Sequence, residues 1–244
     1  MLDTTEAEKL LRAYLLEGVG MQILWADLAY ELAKEIGNHR DQISEASFGE
    51  LFGRLQQILS DRQTLEATKL LDPEKKNYPT RSIPGTLALL KRHARLWRIP
   101  QRESLIEALL QGGSEGTHLD QLSNESLTHA MVDHYRTTLP AAPNLLQQRD
   151  KVIAHNEAIP RSDLTTPTWG EALAVINYAK DFVATIGLGY LNTAFMTARS
   201  EYFLDTDAKR PAYALHRLLR KADIVEGSYA SGHRGSPEAG EDDA

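Results

Sequence analysis

The chain has 244 residues, a formal net charge of −7 and no cysteine. The lack of cysteine excludes disulfides, thiolate zinc sites and cysteine nucleophiles, and the negative charge argues against binding nucleic acid through the overall field of the molecule. No apolar run reaches the roughly 18–20 residues of a membrane span, and the acidic start is unlike a signal peptide, so we expect a soluble cytoplasmic protein without membrane contact.

Apolar residues recur at three- and four-residue steps from Thr5 to Ile36, which is typical of an amphipathic helix. Gly18 and Gly20 weaken the pattern midway. The segment is therefore predicted to be one long helix or two helices joined at a bend, and the glycine at position 37 supplies its end.

A second long helix is predicted from Phe48 to Leu71, because its apolar residues keep the same period. Ser47 and Glu50 have the spacing of a capping box at its start. The proline-rich stretch that follows, residues 72–84, is predicted to be a loop.

Further helices are predicted along the rest of the chain, and a capping box of Thr168 and Glu171 opens one of them. Their ranges are 85–97, 104–110, 123–138, 144–157, 168–204 and 213–224. With no strand alternation, the predicted class is all-α, an antiparallel bundle of long helices with shorter accessory helices. We expect one domain over residues 1–225 and a disordered acidic, Gly/Ser-rich tail over residues 226–244.

The segment of most chemical interest is NLLQQRDKVIAHNE, residues 144–157. On an α-helix Arg149 lies in an apolar seam, where a guanidinium is costly unless a carboxylate, a phosphate or water meets it. His155 follows six positions later, about 120° around the helix and roughly 9 Å further along it. Asp150 and Asn156 supply polar groups beside the pair.

An arginine, a polar residue, a short aliphatic run and a histidine in this order resemble the motif of HEPN domains (higher eukaryotes and prokaryotes nucleotide-binding). More narrowly, the chain resembles the branch named after the U-type abortive-infection phage-resistance proteins. Further stretches that resemble this branch are ILWADLAYEL, RQTLEATKLLDPEK followed by SIPGTLALLKRH, and TPTWGEALAVINYA. The resemblance covers roughly residues 10–200.

The resemblance implies a metal-independent endoribonuclease without cofactors, in which two protomers of a homodimer bring their motifs together across a cleft. By position, Arg149 would hold the phosphate and His155 would move the proton. Asp150 would orient them, and Asn156 would be a secondary polar contact. The implied role is phage defence or the toxic half of a toxin–antitoxin pair, with RNA as substrate and an antitoxin or defence partner.

Spacing alone does not identify the motif, because Arg210 and His216 repeat it. We set that copy aside, since Pro211 directly follows its arginine and the copy lies outside the motif helix. An alternative stays open for the first copy: Arg149 and His155 would be polar anchors of a non-catalytic helical module that dimerises or binds a partner. Asp61 or Arg62, late in the second helix, could then reach across the bundle toward Arg149.

Residues 75–102 contain no acidic residue and are rich in lysine and arginine. This run is the predicted RNA-backbone contact of an otherwise acidic protein, with Trp97 and Tyr78 as possible stacking partners for bases. The predicted RNA-binding residues are Lys91, Arg92, Arg95 and Arg98. The alternative is a solvated helix face with Trp97 in the core.

No metal site is predicted. His129 and His134 are five residues apart and do not share a helix face as ligands at i and i+4 would. The other histidines outside the motif have no consistent partners in the sequence, and these are His39, His93, His118 and His216.

Overall fold

The structure is a computed structural model that describes residues 2–75, 77–113, 118–154, 165, 167–196 and 202–227. Within these ranges the regular elements are helices, and the extended pairing is limited to an isolated bridge between Met196 and Tyr202. The predicted all-α class is therefore confirmed. None of the described helices combines the length and hydrophobicity that a bilayer crossing requires.

The first predicted helix is one continuous segment with an irregular middle. Helix α1 (Thr4–Ala13) runs into a π-helix (Tyr14–Gly20), which runs into α2 (Met21–Asn38), and the backbone is right-handed helical at both junctions. The π-helix contains Gly18 and Gly20, where the apolar pattern weakens. The two glycines thus mark a widened helical turn instead of a break.

The second long helix, α4 (Gly49–Lys69), follows a short helix α3 (Arg40–Glu45) and returns along α2. The antiparallel direction is clear from two contacts. Gln56 Nε2 donates to the carbonyl oxygen of Ala33 at 3.1 Å, and the Arg62 guanidinium lies 5.4 Å from the centre of the Trp25 ring.

The capping box predicted at the start of α4 is wrong. Phe48 is the N-cap residue and makes no side-chain cap hydrogen bond, while Ser47 has a left-handed backbone with φ 65°. A left-handed residue belongs to the preceding turn, so the Ser47 hydroxyl does not reach the first helical amides.

The middle of the chain forms shorter helices close to the predicted ranges. Ser82 caps the first of them, because its hydroxyl accepts a hydrogen bond from the Gly85 N–H at 3.1 Å. This helix ends at Arg92, five residues before the predicted end at Trp97. The elements are α5 (Ile83–Arg92), α6 (Arg102–Gln111), a 3₁₀ turn (Leu119–Gln121), α7 (Asn124–Thr137) and α8 (Pro143–Gln147).

Helix α9 (Trp169–Leu191) is the centre of the main core, and one face of it is fully buried along its length. The capping box of Thr168 and Glu171 at its start is confirmed. Its predicted continuation toward Leu204 is wrong, because the helix ends at Leu191 and its C-cap residue, Asn192, has a left-handed backbone with φ 48°.

The last helix, α10 (Asp205–Lys221), starts earlier than predicted and packs along α2. A small second apolar cluster lies where α2, α3 and α10 meet. Its buried members are Ile36, Ile43, Leu219 and Val225. The predicted tail, apart from residues 226 and 227, lies outside the described residues.

Candidate functional site

The motif segment has an unusual backbone. We predicted one α-helix over residues 144–157, but α8 passes at Gln148 into a second π-helix, Gln148–Ala154. A π-helix has a wider turn than an α-helix, so α-helical geometry does not describe the backbone around Arg149. Single π-turns inside helices occur frequently at functional sites.

The structure describes half of the predicted catalytic residues. Arg149 and Asp150 lie in the π-helix, whereas His155 and Asn156 fall outside the described residues. The assignment of roles to His155 and Asn156 therefore stays a prediction from sequence.

Arg149 is held by two carboxylates. Its Nη1 donates to Asp72 Oδ1 at 2.7 Å, and its Nε donates to Asp150 Oδ1 at 2.7 Å. The side chain is 21% exposed, so it is neither sealed in the core nor fully solvated. The partner from the α4 region is Asp72 and not Asp61, whose Oδ1 instead accepts from Gln57 Nε2.

The two carboxylates keep Arg149 charged. The hydrogen bond to Asp150 raises the pKa of the guanidinium above its ordinary value, and the charge of Asp72 adds to this against the opposing effect of partial burial. An arginine has five N–H donors. Within the described part of the chain, Nη2 donates to neither carboxylate.

Asp72 is positioned by the loop that joins α4 to α5. The N–H of Ile83 donates to the carbonyl oxygen of Leu70 at 3.0 Å, and the Ser82 hydroxyl donates to the carbonyl oxygen of Asp72 at 2.6 Å. Since these bonds fix the backbone around Asp72, its side chain can meet Arg149 without further ordering. Through Asp72 the motif is thereby connected to the start of α5 and to the lysine- and arginine-rich residues 75–102, called the basic segment below.

The basic residues predicted to bind RNA, Lys91, Arg92, Arg95 and Arg98, are all exposed. Two of them have acidic partners: Arg92 pairs with Glu74, and Arg95 Nε lies 3.0 Å from Glu125 Oε1. The other two, Lys91 and Arg98, make no ion pair with any residue that the structure describes. These two are the strongest candidates for contact with an external phosphate.

Other members of the basic run have structural roles. Arg81 Nη1 lies 2.6 Å from Glu17 Oε2 and joins the loop to the first π-helix. Arg102 donates to Asn124 Oδ1 at 3.1 Å and also to the Leu122 carbonyl oxygen, which holds the turn before α7.

The predicted stacking role of Trp97 is wrong. Its side chain is 3% exposed, its indole N–H donates to the Leu90 carbonyl oxygen at 2.8 Å, and its ring packs edge-on against Tyr190. The alternative, Trp97 in the core, is confirmed. Tyr78 is 75% exposed and remains a possible stacking residue.

The second copy of the motif spacing does not form a site. Arg210 is exposed and pairs with Asp207, whereas His216 is buried and its Nδ1 lies 2.8 Å from Glu35 Oε1. The two side chains thus have opposite environments on α10.

Two polar clusters were not predicted. Lys180 Nζ lies 2.7 Å from Asp27 Oδ2 and 2.9 Å from Asp205 Oδ1, which links α9 to α2 and to the start of α10. Burial lowers the pKa of Lys180, but the two carboxylates outweigh it and the net shift is upward. The other cluster joins His39, Glu35 and His216. The four-residue spacing of Glu35 and His39 was a signal in the sequence, but nothing there pointed to His216.

Comparison with known proteins gave one family. The family model HEPN_AbiU2, described as AbiU2, matches residues 8–210. This range includes the π-helix with Arg149, the basic segment and α9. No curated protein and no solved structure matched the chain.

We predict that Asp72→Asn lowers the free energy of unfolding by about 1 kcal/mol, or roughly 2–4 °C in melting temperature, because a partly exposed ion pair is lost. Asp61→Asn is the matched control and should change stability by less than about 0.5 kcal/mol. Thermal unfolding followed by circular dichroism measures both. Equal losses in the two variants would show that Asp72 is no more important to the fold than an ordinary surface carboxylate.

Proposed function

The chain belongs to the AbiU2 family of HEPN domains, and we propose that it is a metal-independent endoribonuclease of a phage-defence or toxin–antitoxin system. The family identifies it as an abortive-infection module. The observation that supports nuclease activity is the charged guanidinium of Arg149, fixed by two carboxylates on a π-helix.

In the proposed reaction His155 accepts the proton of a ribose 2′-hydroxyl, and the 2′-oxygen attacks the adjacent phosphorus. The bond to the 5′-oxygen breaks, that oxygen is protonated, and a 2′,3′-cyclic phosphate remains on the other fragment. Arg149 donates from Nη2 to the phosphorane oxygens, where negative charge grows in the transition state. Asp150 orients the guanidinium through Nε, and Asn156 is a secondary polar contact.

The RNA backbone would lie along the exposed cations at the C-terminal end of α5 and just beyond it. Lys91 and Arg98 would contribute most, because Arg92 and Arg95 already have acidic partners. A local basic surface of this kind is needed since the whole chain carries a net charge of −7.

A homodimer is supported by an apolar stripe on α4. Its members recur at steps of three, four and three residues, which is the spacing of a coiled-coil seam. They are between 39% and 62% exposed, and they are Phe48, Leu51, Leu55 and Ile58. Contiguous exposed apolar surface of this kind marks protein interaction sites. We propose that two copies pair here, and an antitoxin or defence partner is the other possible occupant.

The second candidate function is a non-catalytic helical module. The observation that favours it is the same pair of carboxylates, because Asp72 and Asp150 already neutralise Arg149 and connect the π-helix to the α4–α5 loop. In this case Arg149 would stabilise the fold, and the purified protein would not cut RNA.

We predict that the parent protein cleaves RNA in the presence of chelator, and that His155→Ala lowers the rate at least about 100-fold, because general acid–base catalysis is lost. Arg149→Ala should cause a loss of similar size. Arg210→Ala, from the second copy of the spacing, is the matched control and should cleave at the parent rate. Circular dichroism checks that each protein stays folded with chelator present.

Two outcomes of this assay decide between the candidates. Cleavage by His155→Ala at the parent rate contradicts the mechanism. An inactive but folded parent protein supports the non-catalytic module.

For RNA binding, we predict that Lys91→Ala/Arg98→Ala weakens the affinity for a single-stranded RNA by on the order of tenfold and reduces the log–log salt slope by about 1.4, since two phosphate contacts are lost. The matched control, Arg217→Ala/Arg220→Ala, removes two exposed cations from α10 and should leave both values unchanged. Fluorescence anisotropy at several salt concentrations measures them. Equal effects in the two variants would contradict a specific role for the basic segment.

For the dimer, we predict that Ile58→Glu raises the dissociation constant at least about 100-fold, because the seam would have to bury two carboxylates. Leu218→Glu is the matched control, since Leu218 on α10 is 61% exposed and Ile58 is 62% exposed. Sedimentation velocity measures the association. A parent protein that stays monomeric, or a dimer that survives Ile58→Glu, contradicts pairing through α4.

A further inference from the structure

Three potential metal ligands converge between α2 and α10. Glu35 lies on α2, His39 lies four residues later at the end of that helix, and His216 lies on α10. Glu35 Oε1 is 2.8 Å from His216 Nδ1 and 3.1 Å from His39 Nε2. A single carboxylate oxygen therefore faces one nitrogen of each imidazole ring.

The cluster is buried. The exposed fractions of the side chains are 4% for Glu35, 5% for His216 and 19% for His39. Across the ranges that the structure describes, no lysine or arginine pairs with Glu35. A buried carboxylate needs a proton, an ionised partner or a metal, because an isolated charge is strongly unfavourable away from water.

Both ring nitrogens of His216 face oxygen atoms. Its Nδ1 faces the Glu35 oxygen, and its Nε2 lies 3.4 Å from the carbonyl oxygen of Gly227. A neutral imidazole has only one N–H, so it cannot donate to both oxygens. A proton on Glu35, a second proton on His216 or a metal ion on Nδ1 would each satisfy both contacts. With a metal ion on Nδ1 the Nε2–H points to the carbonyl oxygen, an arrangement that is common for histidines that bind metals.

His39 approaches Glu35 from the other side of the cluster. Its Nε2 faces the oxygen that His216 already faces, and its Nδ1 is buried without a hydrogen-bond partner in the described part of the chain. Both imidazole rings thus converge on one carboxylate oxygen. One metal ion bound by all three groups would lie at this point of convergence.

We propose that Glu35, His39 and His216 bind one Zn²⁺ ion. Two imidazole nitrogens and a carboxylate oxygen are typical zinc ligands, whereas Mg²⁺ and Ca²⁺ prefer oxygen alone. The ligand atoms all lie within 4.8 Å of one another. Zinc bonds of about 2.0–2.2 Å place tetrahedral ligands about 3.3–3.5 Å apart. The 2.8 Å distance to His216 therefore needs to open by about 0.5–0.7 Å and the 3.1 Å distance to His39 by about 0.2–0.4 Å.

The ion would connect the C-terminal helix to the first long helical segment. The cluster adjoins the small apolar cluster of Ile36, Ile43, Leu219 and Val225, which also joins α2 and α10. Since few apolar side chains hold α10 there, a metal bridge would add substantially to its attachment. This role is structural and goes beyond the proposed RNA cleavage, which takes place at Arg149.

The experiment uses the full chain without a polyhistidine tag, stripped with chelator and dialysed. We predict that ZnCl₂ at about 100 times its dissociation constant raises the melting temperature by on the order of 5–10 °C, and that MgCl₂ at the same concentration does not. Isothermal titration calorimetry should show one tight site per chain. Glu35→Gln and His39→Gln should lose both the tight zinc site and the zinc-induced rise in melting temperature. The exposed control His118→Gln should keep both.

Three results would overturn the proposal. The first is no tight zinc binding by the parent protein, which would leave a hydrogen-bonded His–Glu–His cluster. The second is an unchanged zinc-induced rise in the melting temperature of Glu35→Gln and His39→Gln, which would place the ion elsewhere. The third applies if both variants fail to fold. Co²⁺ is then added to the parent protein in place of Zn²⁺, and absence of the visible absorption of tetrahedral Co²⁺ would overturn the proposal.

Discussion

The ion pairs of Arg149 with Asp72 and Asp150 are the constraint on which the rest of the site depends. A guanidinium that is 21% exposed needs carboxylates around it, and the two that it has come from different parts of the chain. Asp150 is its neighbour on the π-helix, whereas Asp72 belongs to the α4–α5 loop. The pair therefore determines how the motif sits relative to that loop and to the basic segment beyond it.

The same contacts limit the chemistry that Arg149 can perform. The guanidinium and the two carboxylates bound to its Nε and Nη1 together carry a charge of −1, which by itself disfavours an approaching phosphate. Two features offset this effect. The guanidinium keeps an Nη2 edge in a fixed orientation, and exposed cations such as Lys91 and Arg98 supply positive charge further along the surface. In the proposed function Arg149 would both stabilise the fold and bind a phosphodiester.

Hydrophobic periodicity predicted the long helices and the all-α class, because burial of one helix face repeats along the sequence. Cap spacing was less reliable: Thr168 forms its capping box, but Ser47 does not, because the turn before α4 gives it a left-handed backbone. Contacts between distant segments could not be predicted from the sequence. Arg149 meets Asp72 instead of Asp61, and His216 meets Glu35, because helix packing decides which side chains come together.

The central claim is that Arg149 offers its Nη2 edge to a phosphodiester while the two carboxylates hold the rest of the group. The most direct measurement follows the side-chain ¹⁵N–¹H signals of Arg149 by NMR while an uncleavable 2′-methoxy oligoribonucleotide is added. The account predicts that the Nη2 signals shift with RNA concentration and that the Nε signal, bound to Asp150, shifts little. Saturation of the protein with RNA while every Arg149 signal stays in place would contradict the account.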